Sequence, residues 1–332
     1  MRINEIVEII HGNLLNNPPL SAFENVTTNL ANVRRGSLFI ATTPQSAKEA
    51  IALGAYGIVF EDGDMPMIDN EVAWIRVDLL QDAITRFIRF HLLMRNISLL
   101  YFPSIEFEIA REIINDEHTC ILEGGYGDLL ESIQQEDLKN LILKNSSLLE
   151  LSIEDTPMHT SENMPFRIIS CTLFDSKIYY NSQRHIISLP SLFLKNLANV
   201  ISTCQIHNIQ ISLENFQPIS HLKPNFVDSK NLLCKFGQSG RVIIAEKDLN
   251  AFKEYSGYIL ANAKWAKVSL FVPQEYHEIF SSVCTCYAYN SPENLLKELE
   301  RPYNFAIVFG VDDQFLLENL KSPTESAGLF DA

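Results

Sequence analysis

The residues from Arg34 to Gln45, RRGSLFIATTPQ, have the types and order of a phosphate-handling strand end. A turn glycine precedes an apolar run that finishes in small and hydroxyl residues, and the Arg34 and Arg35 guanidiniums could pair with a diphosphate. The competing reading leaves both arginines solvated in the turn and keeps Gly36 for the turn itself. A second candidate is Gly124-Gly-Tyr-Gly-Asp128, placed between a strand-like and a helical run, where backbone N–H groups can cradle an anion. It brings no lysine, and Asp128 at the helix start is the better fit to a cap. The paired acids Glu154-Asp155 and Asp312-Asp313 read as solvated loop ends. Cys284 and Cys286 form a lone C-x-C with no second pair to complete a zinc site. The eight histidines are scattered, and no G-x-S-x-G or H-E-x-x-H is present.

These residues must be positioned by a chain of 332 residues, 46% apolar, long enough for two or three domains. Its 41 acidic and 26 basic residues give a formal charge of -15. Such a balance, with no basic stripe, argues against nucleic acid and anionic membrane surfaces as partners. Glutamates interrupt the first helix where a secretory signal would be apolar, and the run at 50–60 is too short to span a bilayer. The six cysteines show no framework spacing, so free thiols in a reducing cytoplasm are expected. Only 13 glycines are present, about half the usual share, and phosphate loops are built from glycine.

Periodicity divides the chain into three α/β units, at 1–96, 97–212 and 213–332. The first has a helix at INEIVEIIHG, strands at SLFIAT, YGIVFE and AWIRVD, a helix SAKEAIALGA closed by Gly54, and a long helix LLQDAITRFIRFHLLM. The second has strands ISLLYF, TCILE and SLLELSIE, with helices SIEFEIAREIIN and YGDLLESIQQEDLKNLIL. After a polar, proline-bounded loop come three antiparallel strands, FRIISCTLF, KIYYNS and HIISLP, and a helix from Ser191. The third unit alternates RVIIAE, AKVSLFVP and FAIVFG with helices KDLNAFKEYSGYILAN and SPENLLKELE.

In this order the units resemble the Mur ligase family of ATP-dependent amide-forming enzymes, nearest the branch that adds D-alanyl-D-alanine to UDP-N-acetylmuramyl-tripeptide. TTNLANVRRGSLFIAT resembles the family's T-T-D-S/T-R followed by P-G-x-L-F-V-A-L, and AIALGAYGIVF its A-x-x-x-G-A-x-G-x-V-V. The resemblance implies an α/β fold of three units and makes Thr27, Thr28, Asn29, Arg34, Arg35 and Gly36 the counterparts of a precursor-binding segment. It makes Glu150 the counterpart of a magnesium-binding glutamate. Lys195, Asn196 and Asn199 stand for the nucleotide-side H-N-x-x-N, and Asn250 for part of D-D-S-Y-N-A-N.

The family's chemistry is not carried over with the scaffold. Its T-G-x-x-G-K-T-[ST] phosphate loop corresponds here to Pro103-Ser-Ile-Glu106-Phe107-Glu108, without glycine or lysine and with two carboxylates. The acid and arginine of T-D-S/T-R are absent after Thr28. About fifteen residues separate Glu150 from the next strand, so the segment of the metal-binding histidine and carbamylated lysine is deleted and the central domain truncated. His159 falls in what remains and reads as a solvated histidine. The inter-domain G-R is replaced near Lys223-Pro224-Asn225, and the K-G-S-R loop becomes Phe309-Gly-Val-Asp-Asp313. The expectation is a bacterial, cytoplasmic, catalytically degenerate pseudoenzyme that binds neither ATP nor magnesium. It would bind a UDP-muramyl peptide or another cell-wall synthesis protein, beside peptidoglycan biosynthesis. Two alternatives stand: an active amide ligase with a divergent nucleotide site, and a purely structural interaction protein.

Overall fold

Capping and glycine geometry set the first elements. Thr43 accepts from Ser46 N–H at 3.1 Å and Pro44 occupies the first helical position, so α2 (Pro44–Ala52) starts there after α1 (Ile3–Ile9). It stops at Gly54, whose φ of +102° suits glycine alone. Strands β1 (Asn13–Leu14), β2 (Asn25–Thr27), β3 (Ser37–Ile40), β4 (Gly57–Glu61) and β5 (Ala73–Val77) form one sheet in the order β1-β5-β4-β3-β2. All neighbours run parallel except β1 on β5. One face packs Phe39, Ile58, Phe60 and Trp74 against Ala47 and Ala50 of α2. The other packs Leu38, Ile40, Val59 and Ile75 against α1 and α3 (Leu80–Met94). Burial on both faces is why these strands read as unbroken apolar runs. The computed structural model describes residues 1–61, 63, 65–152, 163–235 and 237–320; His159 and the Glu154-Asp155 pair lie outside them.

A second, three-stranded parallel sheet follows, of β6 (Ser98–Tyr101), β7 (Thr119–Leu122) and β8 (Asn140–Leu143) in the order β6-β8-β7. Helices α4 (Ser104–Ile113) and α5 (Tyr126–Ser132) connect its strands. Leu99, Leu122, Leu129, Leu141 and Leu143 join the core that Ile6, Phe87 and Ile88 build, so the two sheets share one apolar cluster. The helix expected over YGDLLESIQQEDLKNLIL is two elements: α5 ends at Ser132 and Asn140–Leu143 is β8. Arg95 explains the break, because its guanidinium donates to the carbonyls of Ile133, Gln135 and Glu136 and ends the helical ladder. The strand expected over SLLELSIE is a 3₁₀ turn at Ser146–Leu151, started by the Asn145 side chain on Ser147 N–H.

Among the described residues, those before 153 together with 199–212 form one compact unit, and 163–198 with 213–320 form the other. In the second unit β9 (Arg167–Cys171), β10 (Ser176–Tyr180) and β11 (Gln183–Ile187) form the expected antiparallel sheet in the order β11-β10-β9. Helix α6 (Leu194–Ile206) follows, its residues from Asn199 onward counted with the first unit. Strands β12 (Asn225–Val227), β13 (Arg241–Glu246), β14 (Val268–Pro273), β15 (Thr285–Tyr289) and β16 (Phe305–Phe309) give a sheet ordered β12-β13-β16-β14-β15, parallel except for β12. Helices α7 (Leu249–Asn262), α8 (His277–Phe280), α9 (Pro292–Glu298) and α10 (Asp313–Asn319) complete it. The short β12 and the cysteine-bearing β15 carry no strand signal strong enough to be read in advance. Among the described residues, no helix is long and apolar enough to cross a membrane.

One buried group in this core is poised to respond to acid. His91 on α3 packs its ring 4.5 Å from that of Phe87, and its Nε2 is enclosed without a hydrogen-bond partner. Burial first, then the Arg95 charge, pushes its pKa down to about 4. An unfolded histidine titrates near 6.5, so between there and about 4 the unfolded chain takes up a proton that the folded chain refuses. Stability therefore falls as pH drops through that window. His91→Phe, which keeps the ring contacts, should reduce the loss of thermal midpoint between pH 7 and pH 5 by roughly 2 °C or more. Calorimetry at the two pH values reads it; an unchanged loss would clear His91 of the acid sensitivity.

Candidate functional site

The strand-end segment of the first sheet is organised by helix α5. Thr27 is fully buried and donates from Oγ1 to Glu131 Oε1 at 2.7 Å, while accepting from Asn29 N–H at 3.0 Å. The other Glu131 oxygen accepts a short bond from the Asn32 amide. One turn further on, Gln134 Oε1 accepts from Val26 N–H at 2.7 Å, and its Nε2 donates to Val26 carbonyl at 2.8 Å. That side-chain amide completes the ladder positions that the edge strand β2 leaves open. Asn29 Oδ1 accepts from Ala31 N–H at 3.0 Å and so caps a 3₁₀ turn. Glu131 and Gln134 were not singled out in the sequence, where an acid and an amide three apart on a helix carry no particular signal.

The glycines of Gly124–Asp128 serve packing and capping. Asp128 Oδ2 accepts from Gly125 N–H at 3.2 Å, closing the start of α5. A Cβ on Gly124 would lie 1.7 Å from that same oxygen, and one on Gly127 would lie 2.9 Å from Thr28 Oγ1. The Gly125 N–H is thus taken by an internal carboxylate. The segment is packed against Thr28.

Gly36 adopts φ +91°, and a Cβ there would meet Glu24 Cγ at 2.9 Å. Arg34 and Arg35 are exposed. Arg34 Nε reaches Asn25 Oδ1 at 3.4 Å, and Arg35 Nε donates to Tyr56 hydroxyl at 2.7 Å. Asn25 pairs with Ser37 and Thr27 with Phe39, so both arginines stand at the opening end of β3. Thr28 follows the closing end of β2, and the two halves of the sequence-predicted segment do not converge.

A cleft of about 480 Å³ is open at that closing end, lined by Thr28, Asn29, Thr42, Ser46, Gln81 and the apolar Leu30 and Ile84. It sits outside the carboxyl ends of β2 and β3, where parallel α/β sheets take ligands. Its polar lining is hydroxyl and amide, with no cation. At each of the two helix starts beside it one N–H is already bonded: Ser46 N–H to Thr43, and Leu80 N–H to Glu61 Oε1 at 2.8 Å. Such a cleft suits a neutral polar ligand group better than a bare phosphate.

In the central sheet β6 passes into α4 through only Phe102 and Pro103. Phe107 is fully buried and Glu106 is 6% exposed, and the Lys144 ammonium stands 5.7 Å from the Phe107 ring centre. Glu150 lies in the 3₁₀ turn, exposed, where a strand end was expected; its carbonyl accepts from Arg89 Nη2 at 2.8 Å. Lys195 is exposed and Asn196 half-buried in α6. Asn199 is 7% exposed, and its carbonyl accepts from the Thr203 hydroxyl at 2.9 Å. Among the described residues, no three histidines, cysteines or acids gather in a form that could hold a metal ion.

The second unit corrects one expectation. Asp312 and Asp313 are ion-paired rather than solvated loop ends. Asp313 accepts from Lys223 Nζ at 2.7 Å and from the Asn225 amide at 2.6 Å. Asp312 forms a short pair with Lys247 and caps α10 by accepting from Phe315 N–H at 2.8 Å. The Lys247 bond, then the Phe315 N–H, hold its carboxyl below the usual range. Asn250 is exposed, and its N–H donates at 3.0 Å to Asp248, the cap of α7.

No family model matches the sequence, and no curated protein matches it. Solved structures do. The chain is similar to the MurF ligase of Thermotoga maritima determined with ADP, at 12% identity and a TM-score of 0.55, over 89% of this chain and 96% of that one. It is similar to MurF of Acinetobacter baumannii at 9% identity and a TM-score of 0.58, over 96% and 97% of the two chains. At these identities the likeness is one of fold, and the chain has the α/β fold of Mur ligases.

The Glu131 clamp can be measured directly. Glu131→Ala removes the closer acceptor of the buried Thr27 hydroxyl, leaving the Asn29 carbonyl at 3.2 Å, and should cost about 1 kcal/mol in urea unfolding. Thr27→Val should cost a similar amount, and the double variant should fall short of the sum by about 1 kcal/mol. Full additivity would mean that the contact contributes nothing.

Proposed function

We propose that this chain is a Mur-ligase-like protein without ATP-driven ligation, acting beside peptidoglycan precursor synthesis by binding a partner protein or a muramyl precursor. The observation that carries the reading is the β6–α4 connection. A phosphate loop needs several free backbone N–H groups and a lysine on the terminal phosphates. Here Pro103 supplies no N–H, Phe107 is in the core, and Glu106 and Glu108 place two carboxylates in the first turns of α4. These residues do not fit a nucleotide triphosphate with its magnesium, and no step is derived through one. The open cleft beyond β2 and β3 supports retained binding of the neutral part of a precursor.

A purely structural role is favoured by a different observation. Internal carboxylates hold the positions an anionic ligand would use: Glu131 on Thr27, Glu61 at the start of α3, and Asp128 at the start of α5.

Titration calorimetry with ATP and magnesium should give no micromolar binding, and no phosphate should be released when a UDP-muramyl tripeptide is added. Either signal would overturn the proposal in favour of an active ligase. A rise in melting temperature with the tripeptide alone would assign precursor binding, since a ligand held only by the folded state must stabilise it. No rise would assign the protein-partner role.

A further inference from the structure

An aromatic cleft of about 570 Å³ opens in the second unit at the opening ends of β13 and β16, beside Val242 and Phe305. It is on the other edge of that sheet from the Asp312–Asp313 loop that follows β16. Its walls are Phe174, Phe226, Phe305 and Trp265. Phe174 meets Phe226 at 79° and Phe305 at 52°, with ring centres 6.4 and 6.2 Å apart, and Trp265 meets Phe305 at 70° and 6.1 Å. The rings meet one another edge-on or tilted along the cleft wall. Trp265 is 74% exposed at the lip, an unusual position for the largest apolar side chain.

We infer that this cleft binds a cationic amine, an ammonium head held over the aromatic faces and neutralised at the mouth by Asp175. Aromatic faces attract cations through their quadrupole, most strongly at tryptophan. Among the described lining residues Asp175 is the one acid, and none is a lysine or arginine. Lys264 and Lys267, beside Trp265 in sequence, are exposed to water. Asn262, also in the lining, is the last residue of the fourteen-residue helix α7. That end of a helix carries the partial negative charge of the backbone dipole, so it too favours a cation and disfavours phosphate. The mouth is built rigidly. Thr172 N–H donates to Asp175 carbonyl at 2.8 Å, and Asp175 N–H to Thr172 Oγ1 at 3.0 Å. The Tyr258 hydroxyl donates to Leu173 carbonyl at 3.1 Å, tying this turn to α7. A chain of formal charge -15 also draws cations toward it.

The test uses the full chain and reads Trp265 fluorescence, with the buried Trp74 as a constant background. Choline, its neutral isostere 3,3-dimethyl-1-butanol, and N-acetyl-lysine methylamide are titrated at equal ionic strength. Saturable binding of choline, with the neutral isostere about tenfold weaker or more, is the expected result. Asp175→Asn, a surface change that leaves the aromatic walls intact, should weaken choline binding several-fold. The lysine probe binding tighter than choline would assign the occupant to a partner's side chain, and the reverse order to a free amine. Equal binding of choline and the isostere, or no saturable response to any probe, would overturn the inference.

Discussion

The structure of the first unit depends on how the open edge of β2 is closed. An edge strand presents unpaired N–H and carbonyl groups that must find partners or solvent. At Val26 both are taken by one side chain, the Gln134 amide, which behaves as a single residue of an added strand. That placement brings α5 onto the sheet and sets Glu131 against Thr27 and Asn32. It also lets the Leu129 and Leu130 side chains enter the core shared with α1 and α3. The five-stranded and three-stranded sheets are joined through this contact and through Arg95 on the carbonyls beyond α5. Thr27 and Asn32 of that segment are thereby held by an internal carboxylate.

The second unit treats charge in the same way. Asp312 and Asp313 look from sequence like a reversal of sign in a loop, and Lys223 like an unrelated replacement in a linker. In the fold they neutralise one another, with Lys247 as the second cation. Both pairs are partly exposed, so each contributes little to stability. Each acid at the end of β16 thus has a lysine beside it.

Much of the scaffold was legible in the sequence because its signals are local. SLFIAT, YGIVFE, AWIRVD and FAIVFG are apolar runs buried on both faces, and the amphipathic period of LLQDAITRFIRFHLLM matches α3. What was misread required knowledge of contacts. YGDLLESIQQEDLKNLIL has helical composition throughout, and only the distant Arg95 shows why the helix ends early. SLLELS has the apolar content of a strand, yet the Asn145 side chain turns it into a 3₁₀ segment and leaves Glu150 away from any strand end. In the candidate site the residues named from sequence are present, but Arg34 and Arg35 stand apart from Thr28. The groups that hold that segment, Glu131 and Gln134, lie some hundred residues away and leave no periodic trace.

Glycine use separates what the fold needs from what phosphate chemistry would need. Gly36 is held by a left-handed turn, Gly57 by the Phe23 ring 2.6 Å from where its Cβ would be, and Gly124 by the Asp128 carboxylate. Gly36 is fixed by its positive φ and Gly57 by close packing, while at Gly124 the Asp128 carboxylate would have to move. The β6–α4 connection, Phe102 and Pro103, contains no glycine. The aromatic cleft beside Trp265 belongs to neither category. Trp265 there is 74% exposed while its indole meets Phe305 edge-on, which leaves most of the ring open to a ligand.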